Sequence, residues 1–448
     1  MSGIARGRVS PVGWQGATAA PHTERSAVAP VFWRGAPWLA IALVAIVVAR
    51  LHEVIPSLQV VRPAFVGSAA LLLILLLQAN REMWRRLFSL TTTQLLCAYV
   101  AWAAVTIPFA FWPGLAFTTV LDLLPGTAMF IAVVMCAPTR VNLDRLQLGL
   151  VVALAIFAVG SLLWGPRVVL GRVGGVGATY DPNDMATAMA VGFPLAAGLM
   201  SRVAGVRRFL LLAAVFAFGA AVAASASRGG MVAFGVGAVV LAAGQRGSRR
   251  MVHLAAIGLG AIVVWLSAGP VARERAASVF TLQGDYNLQD PNGRIAVWKR
   301  GATYFLDHPI LGVGAGNFEM AEGASLEARG ERGKWSAAHN AYIQAFADLG
   351  VVGGTIFVSL LGLGGWQARR LWRPPRSRLS PSFHRPELLA ALSAFAVGAC
   401  FLSFAYSAIL VGLIGFISLA ADTARAELGA GPRRGAPIPL APRFWRSS

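Results

Sequence analysis

The chain is short of charge, of acidic residues in particular, and of cysteine. Only 13% of its 448 residues are charged, while 56% are hydrophobic, and mean hydropathy is +0.64. Soluble domains carry about 25% charged residues. The deficit excludes an ordinary soluble domain and implies an integral membrane protein. The apolar runs are long and continuous, which excludes the short alternating segments of a membrane β-barrel. Cys97, Cys136 and Cys400 lie within or at the ends of apolar runs and form no C-x-x-C pair. They read as small buried residues, with no disulfide framework or metal site. Asp and Glu number 19 against 39 Lys and Arg, and no carboxylates cluster as a divalent ion would require. Neither a metal nor a cofactor is expected.

What the chain has is apolar runs and short basic loops. Its net charge of +20 would suggest nucleic acid in a soluble protein. Here the basic residues sit mostly between apolar runs and nucleic-acid motifs are absent, so the charge reads as topology control. The first run starts near Trp38, too far in for a secretory signal peptide, and reads as an uncleaved first span. Segments of about 20 apolar residues recur through the chain. The predicted fold class is an all-α polytopic membrane protein with about 12 transmembrane helices and one large external loop module containing short helices.

The expected organisation is a disordered cytoplasmic tail over residues 1–35, transmembrane helices 1–9 over 36–269, and the external module over 270–338. Helices 10–12 follow over 339–421, then a cytoplasmic tail over 422–448. The ninth span is expected at 251–269. With the N-terminus inside, Arg81, Arg85, Arg86, Arg140, Arg145, Arg202, Arg207, Arg208, Arg246, Arg249, Arg250 and the Arg369–Arg385 cluster all fall on the cytoplasmic side. The module then faces outward, into the periplasm in a Gram-negative cell. Arg62, Arg167, Arg172 and Arg228 are the basic residues of the short outer loops, where the positive-inside rule disfavours them.

Four stretches carry residues suited to chemistry. Ser225-Ala-Ser-Arg228-Gly-Gly230 puts a guanidinium between two spans. It cannot face lipid unpaired, so it serves either as a bidentate phosphate ligand or as a snorkelling anchor. Arg172 opens a glycine-rich loop ending in Asp181-Pro182-Asn183-Asp184, where Asp181 or Asn183 can cap a helix whose N-terminus also attracts phosphate. In the module, Asp290-Pro291 can start a helix to about Leu306 with Ile295, Trp298, Ala302 and Phe305 on its apolar face. Such a helix would lie along the membrane surface, with Arg294 one turn from Trp298 and able to reach a diphosphate at the interface. His308 reads as structural, and the Gly312–Asn317 turn as backbone packed close against a neighbour. Last, His339-Asn340 opens the tenth span, where a neutral imidazole can accept a proton.

Together these motifs resemble the O-antigen ligase and polymerase superfamily, membrane glycosyltransferases of the GT-C type. The resemblance rests on Asp181-Pro-Asn-Asp184, Ser227-Arg-Gly-Gly230, Asn292-Gly-Arg294…Trp298, His308-Pro-Ile-Leu-Gly-Val-Gly…Asn317-Phe318 and His339-Asn340, in that order over roughly residues 35–425. It implies a metal-independent inverting enzyme that uses an undecaprenyl-diphosphate-linked glycan and an acceptor hydroxyl, of lipid A-core in a ligase. The enzyme would sit in the bacterial inner membrane with its active site periplasmic. Arg228 and Arg294, with Arg172, would bind the diphosphate. His339 would activate or position the acceptor, and Asn340, Asp181, Asn183 and Trp298 would give support. Polymerases and protein O-oligosaccharyltransferases share the superfamily. A twelve-span transporter or flippase is the rival from another class, and it would predict paired halves and ionisable groups near mid-membrane.

Overall fold

A computed structural model of the chain describes residues 36–54, 56–136, 140–168, 171–177, 179–248, 293–330, 335–372 and 384–429, and isolated positions between 250 and 290. Among these residues the fold is helical, and its β-structure is a single isolated bridge, Arg167 to Val173. The 1–35 tail, most of the 251–269 run, the first part of the module and residues 430–448 lie outside the described residues.

The helices are α1 (Ala36–Val48), α2 (Pro56–Val61), α3 (Pro63–Gln78), α4 (Arg81–Ser89), α5 (Thr91–Val105), α6 (Pro113–Cys136), α7 (Arg140–Trp164), α8 (Pro182–Met200), α9 (Val206–Ser225) and α10 (Arg228–Ala243). Then come α11 (Arg294–Asp307), α12 (Phe318–Glu327), α13 (Ala341–Trp372), α14 (Pro386–Gly398) and α15 (Ala408–Gly429). Among the described residues, six helical segments are long and apolar enough to cross a membrane: Thr91–Phe109, Pro113–Cys136, Val141–Trp164, Val206–Ser225, Ala341–Trp372 and Ala408–Ala426. Four further apolar helices are shorter, as Pro63–Gln78 and Pro386–Gly398 show. The chain is thus a polytopic α-helical membrane protein. Leu76, Phe117, Ile156, Phe216 and Val239 point out of the bundle and stay exposed. On a soluble protein such patches would drive aggregation, whereas a bilayer is their natural solvent.

At the centre, α8 packs against α9, α10 and α14, and α15 packs against α6. Phe130, Phe157, Phe218, Phe357, Phe395 and Phe416 are among the fully buried side chains. A second, smaller core lies under α11 and α12, built from Val297, Tyr304, Val313, Phe318, Ala321, Ala338 and Ala347 with Ile343 against it.

The two ends of the bundle differ. The lower end gathers buried ion pairs. Glu387 Oε1 accepts from Arg202 Nη2 at 2.8 Å, and Asp144 Oδ1 accepts from Arg385 Nη1 at 2.8 Å. Asp144 also lies 3.2 Å from Arg202 Nε, and Arg86 pairs with Asp422. Arg86, Arg202 and Arg385, from three of the basic loops, carry these pairs. The upper end carries the 165–181 loop, the turns at 226–227 and 399–407, and the module.

Three sequence expectations need correction. The module helix starts at Arg294 rather than Asp290 and buries Val297, Gly301 and Tyr304, while Ala302 is exposed. Its face is turned because Glu322 draws in Arg300 and Tyr304, and because it packs on α13. Cys97 is exposed on the bundle, not buried. The last helix runs on to Gly429, and Arg86 pairs with Asp422 on the added length.

Candidate active site

The upper end is assembled from helix starts. Asp181 is the N-cap of α8. Its carboxylate accepts from Asn183 N at 2.6 Å and Asp184 N at 2.8 Å, with Pro182 in the first helical turn. Ser227 is the N-cap of α10, accepting from Gly230 N at 3.2 Å, and Arg228 is the first helical residue. Arg172 ties the two starts together. Its Nε donates to Ser225 O at 2.8 Å and its Nη2 to Asn183 Oδ1 at 2.7 Å. Val173 N donates to Ala224 O at 3.0 Å, so the loop is laced to the end of α9. Arg172, Asp181, Asn183 and Arg228 therefore form one cluster around two helix N-termini, where backbone N–H groups and the helix dipole favour an anion.

Glu53, in the turn after α1, holds the far side of that loop. Thr179 N donates to it at 3.0 Å, and Arg50 Nε donates at 2.5 Å. Burial works against the charged carboxylate, but the Thr179 and Arg50 contacts outweigh it and keep its pKa below the ordinary value. The sequence reading assigned Glu53 no such role, since its partner lies 126 residues away.

His339 sits in a strained setting. Its φ is +46, in the left-handed region that costs a non-glycine residue about 1–2 kcal/mol. The conformation is held from both sides. Trp298 Nε1 donates to Ala338 O at 2.9 Å, and His339 N donates to Ser403 Oγ at 3.0 Å. Asn340 Oδ1 then accepts from Tyr342 N at 3.0 Å and Ile343 N at 3.2 Å, starting α13. Trp298 is thus a support for His339, and Arg294 stands one turn before it at the start of α11.

The 399–407 turn joins the two halves of the site. Ala341 N donates to Ala399 O at 2.8 Å, on the His339 side. On the Arg228 side, Gly229 lies against Phe401, and a Cβ at Gly229 would stand 2.9 Å from Phe401 Cβ. Only glycine lets α10 start that close. Sequence reading gave this turn no functional weight. Its one signal was the polar Ser403, Tyr406 and Ser407 inside an apolar run.

The module is plugged into the bundle by a helix break. At Gly350 α13 kinks with φ 64, and a Cβ there would collide with Ile310 O. The break removes helical partners from three carbonyls, and each finds another: Ala347 O takes Val313 N at 2.9 Å, Asp348 O takes Gly314 N at 2.9 Å, and Leu349 O takes Trp102 Nε1 at 2.8 Å. Val351 N, freed on the other side, donates to Pro309 O at 2.8 Å. Irregular backbone at membrane depth survives only with such internal partners. Asp348, fully buried, accepts from Gly316 N at 3.1 Å and Tyr406 Oη at 3.0 Å. Asn317 closes the strap by accepting Trp112 N at 2.7 Å. His308 packs into the fold: its N donates to Tyr304 O, and its ring meets Phe111 edge-on at 6.1 Å. In the module core, Arg300 and Tyr304 bind the buried Glu322, with Tyr304 Oη donating at 2.7 Å. Burial pushes the Tyr304 hydroxyl up to about 12, so it remains a donor.

The fold is that of a polytopic membrane protein, with two capped helix starts and their neighbours Arg172 and Arg228 at one end. Residues 212–358, about a third of the chain, match the family model described as O-Antigen ligase. The match supports kinship of this stretch with the O-antigen ligase superfamily. Arg228, Arg294, Trp298, His339 and Asn340 fall inside it; Arg172, Asp181 and Asn183 precede it. No curated protein matches the chain.

Proposed function

We propose that the chain is an O-antigen ligase, an inverting, metal-independent glycosyltransferase of the GT-C type. It moves an oligo- or polysaccharide from undecaprenyl diphosphate to an acceptor hydroxyl of lipid A-core at the periplasmic face of the bacterial inner membrane. The observation that carries this reading is the 399–407 turn, which touches both the Arg228 helix start and the His339 segment. On this reading about 12 spans cross the membrane, both termini are cytoplasmic, and the lower end is the cytoplasmic one. The 270–338 module is the periplasmic lid, set between helices 1–9 (36–269) and helices 10–12 (339–421).

Arg228 and Arg294, with Arg172, hold the diphosphate beside the starts of α8 and α10. As the bond from the anomeric carbon to the diphosphate oxygen breaks, negative charge grows on the leaving group. Arginines in a partly dehydrated interface neutralise it more strongly than they would in water. The acceptor hydroxyl attacks from the opposite face and gives its proton to His339, forming the new glycosidic bond with inversion. Asp181 and Asn183 fix the helix start and Arg172, while Trp298 and Asn340 fix His339. The scarcity of acidic residues in the sequence agrees with charge neutralisation by arginine.

Reconstitution with a polyprenyl-diphosphate glycan and three competing acceptors tests the proposal: core lipid, a second lipid-linked glycan, and a peptide. Transfer to core lipid supports the ligase. Transfer only to the second glycan or to peptide makes the chain a polymerase or a protein O-oligosaccharyltransferase, and movement of the lipid without transfer makes it a flippase. Activity should persist in EDTA; strict dependence on a divalent ion overturns the metal-free step. A cysteine at Asp285 should react with an impermeant reagent from outside, and one at Arg376 should not.

A further inference from the structure

Asn340, Gln344 and Asp348 are spaced four apart and share one face of α13. Gln344 and Asp348 reach the 399–407 turn, and Asn340 holds the first turn of the helix itself. Asn340 caps α13. Gln344, buried, accepts from Ala405 N through Oε1 at 3.2 Å. Asp348 accepts from Tyr406 Oη. The same turn is fixed from another helix by Tyr99, whose hydroxyl donates to Ala405 O at 3.0 Å. Two residues before Ala405, Ser403 Oγ accepts the amide of His339, the residue held at positive φ. Strain at such a residue persists only where its surroundings over-determine it.

We propose that Ser403 and Gln344 are positioning residues. Gln344 pins the 399–407 turn to α13, and Ser403, carried on that turn, holds His339 in its left-handed conformation and fixes its place relative to the α10 start. Neither side chain contacts the reacting atoms. Both act through the geometry of His339, and a displacement of about 1 Å in such a group can cost on the order of 100-fold in rate. The proposal rests on the glycosyl-transfer reading for its kinetic consequence, but its structural claim can be tested without it.

The test compares Ser403→Ala, Ser403→Thr and Gln344→Met with the native full-length protein in proteoliposomes. Ser403→Ala and Gln344→Met should lower kcat by about tenfold or more, with the KM for the lipid-linked donor within about twofold, because the arginines are untouched. Ser403→Thr keeps an acceptor oxygen and should restore most of kcat. Hydrogen exchange over residues 336–342 supplies the second readout. Exchange should quicken in the Ala and Met variants and stay slow in the Thr variant. Native kcat with native exchange in both deletion variants overturns the proposal, and so does a Thr variant as slow as the Ala variant. If the native protein transfers no glycan, the functional reading fails, and the exchange pattern still decides the positioning claim.

Discussion

Arg202 and Arg385 at the lower end of the bundle and Arg172 at the upper end hold the helices together through different kinds of acceptor. At the lower end, Arg202 and Arg385 meet the carboxylates of Glu387 and Asp144, and Glu387 is fully buried. Charge meets charge, and the contacts tie α7, the α8–α9 connection and α14 into one unit. At the upper end, Arg172 donates to a backbone carbonyl and an amide oxygen. Those contacts fix the guanidinium between the end of α9 and the start of α8. Helix starts, which favour anions, surround it. Arginine locked to carboxylates fastens the lower end, whereas Arg172 ties two helix starts together through a carbonyl and an amide oxygen.

The largest effects should come from the upper end. Arg228→Ala and His339→Ala should each cut glycan transfer by about 100-fold or more, the scale for removing one transition-state electrostatic contact. Thermal unfolding in detergent should be nearly unchanged. Loss of folding in either variant would erase the contrast and make the upper end structural too.

Next comes the lower end. Glu387→Ala leaves Arg202 without its closest carboxylate partner in a buried site. Removing one partner of a buried pair costs about 3–5 kcal/mol. The expected result is a large drop in unfolding temperature, while the fraction still folded transfers glycan at the native rate. A stable but inactive Glu387→Ala protein would mean that the lower end takes part in turnover.

Much of this division could be read from the sequence. Apolar runs located the helices, and the basic loops foretold that Arg86, Arg202 and Arg385 share a side. Asp181-Pro182 and Ser227-Arg228 announced two helix starts, because capping is a local property of a few residues. What stayed hidden was what depends on distant partners. Ser403 and His339 lie 64 positions apart, and Glu53 and Thr179 lie 126 apart. Gly350 looked like one more glycine in an apolar helix until its kink was seen to free the carbonyls that anchor the module. The buried face of α11 was misjudged for a related reason. Apolar periodicity pointed to Trp298 and Phe305, but the ion pair of Arg300 with Glu322 turned the helix toward Val297 and Tyr304.

The smallest effect should come from the lower-end pair at the margin of the bundle. Arg86 and Asp422 pair with side-chain exposures of 37% and 21%. Water and salt screen such a pair, so Asp422→Asn should cost less than about 1 kcal/mol. That is well below the Glu387→Ala effect, although both variants delete one carboxylate from an arginine. The two unfolding temperatures, measured side by side, separate burial from charge as the source of lower-end stability. If Asp422→Asn destabilises as much as Glu387→Ala, burial is not what makes the lower-end pairs strong, and α15 past residue 421 is a principal fastening of the bundle rather than a helical extension held by a weak surface pair.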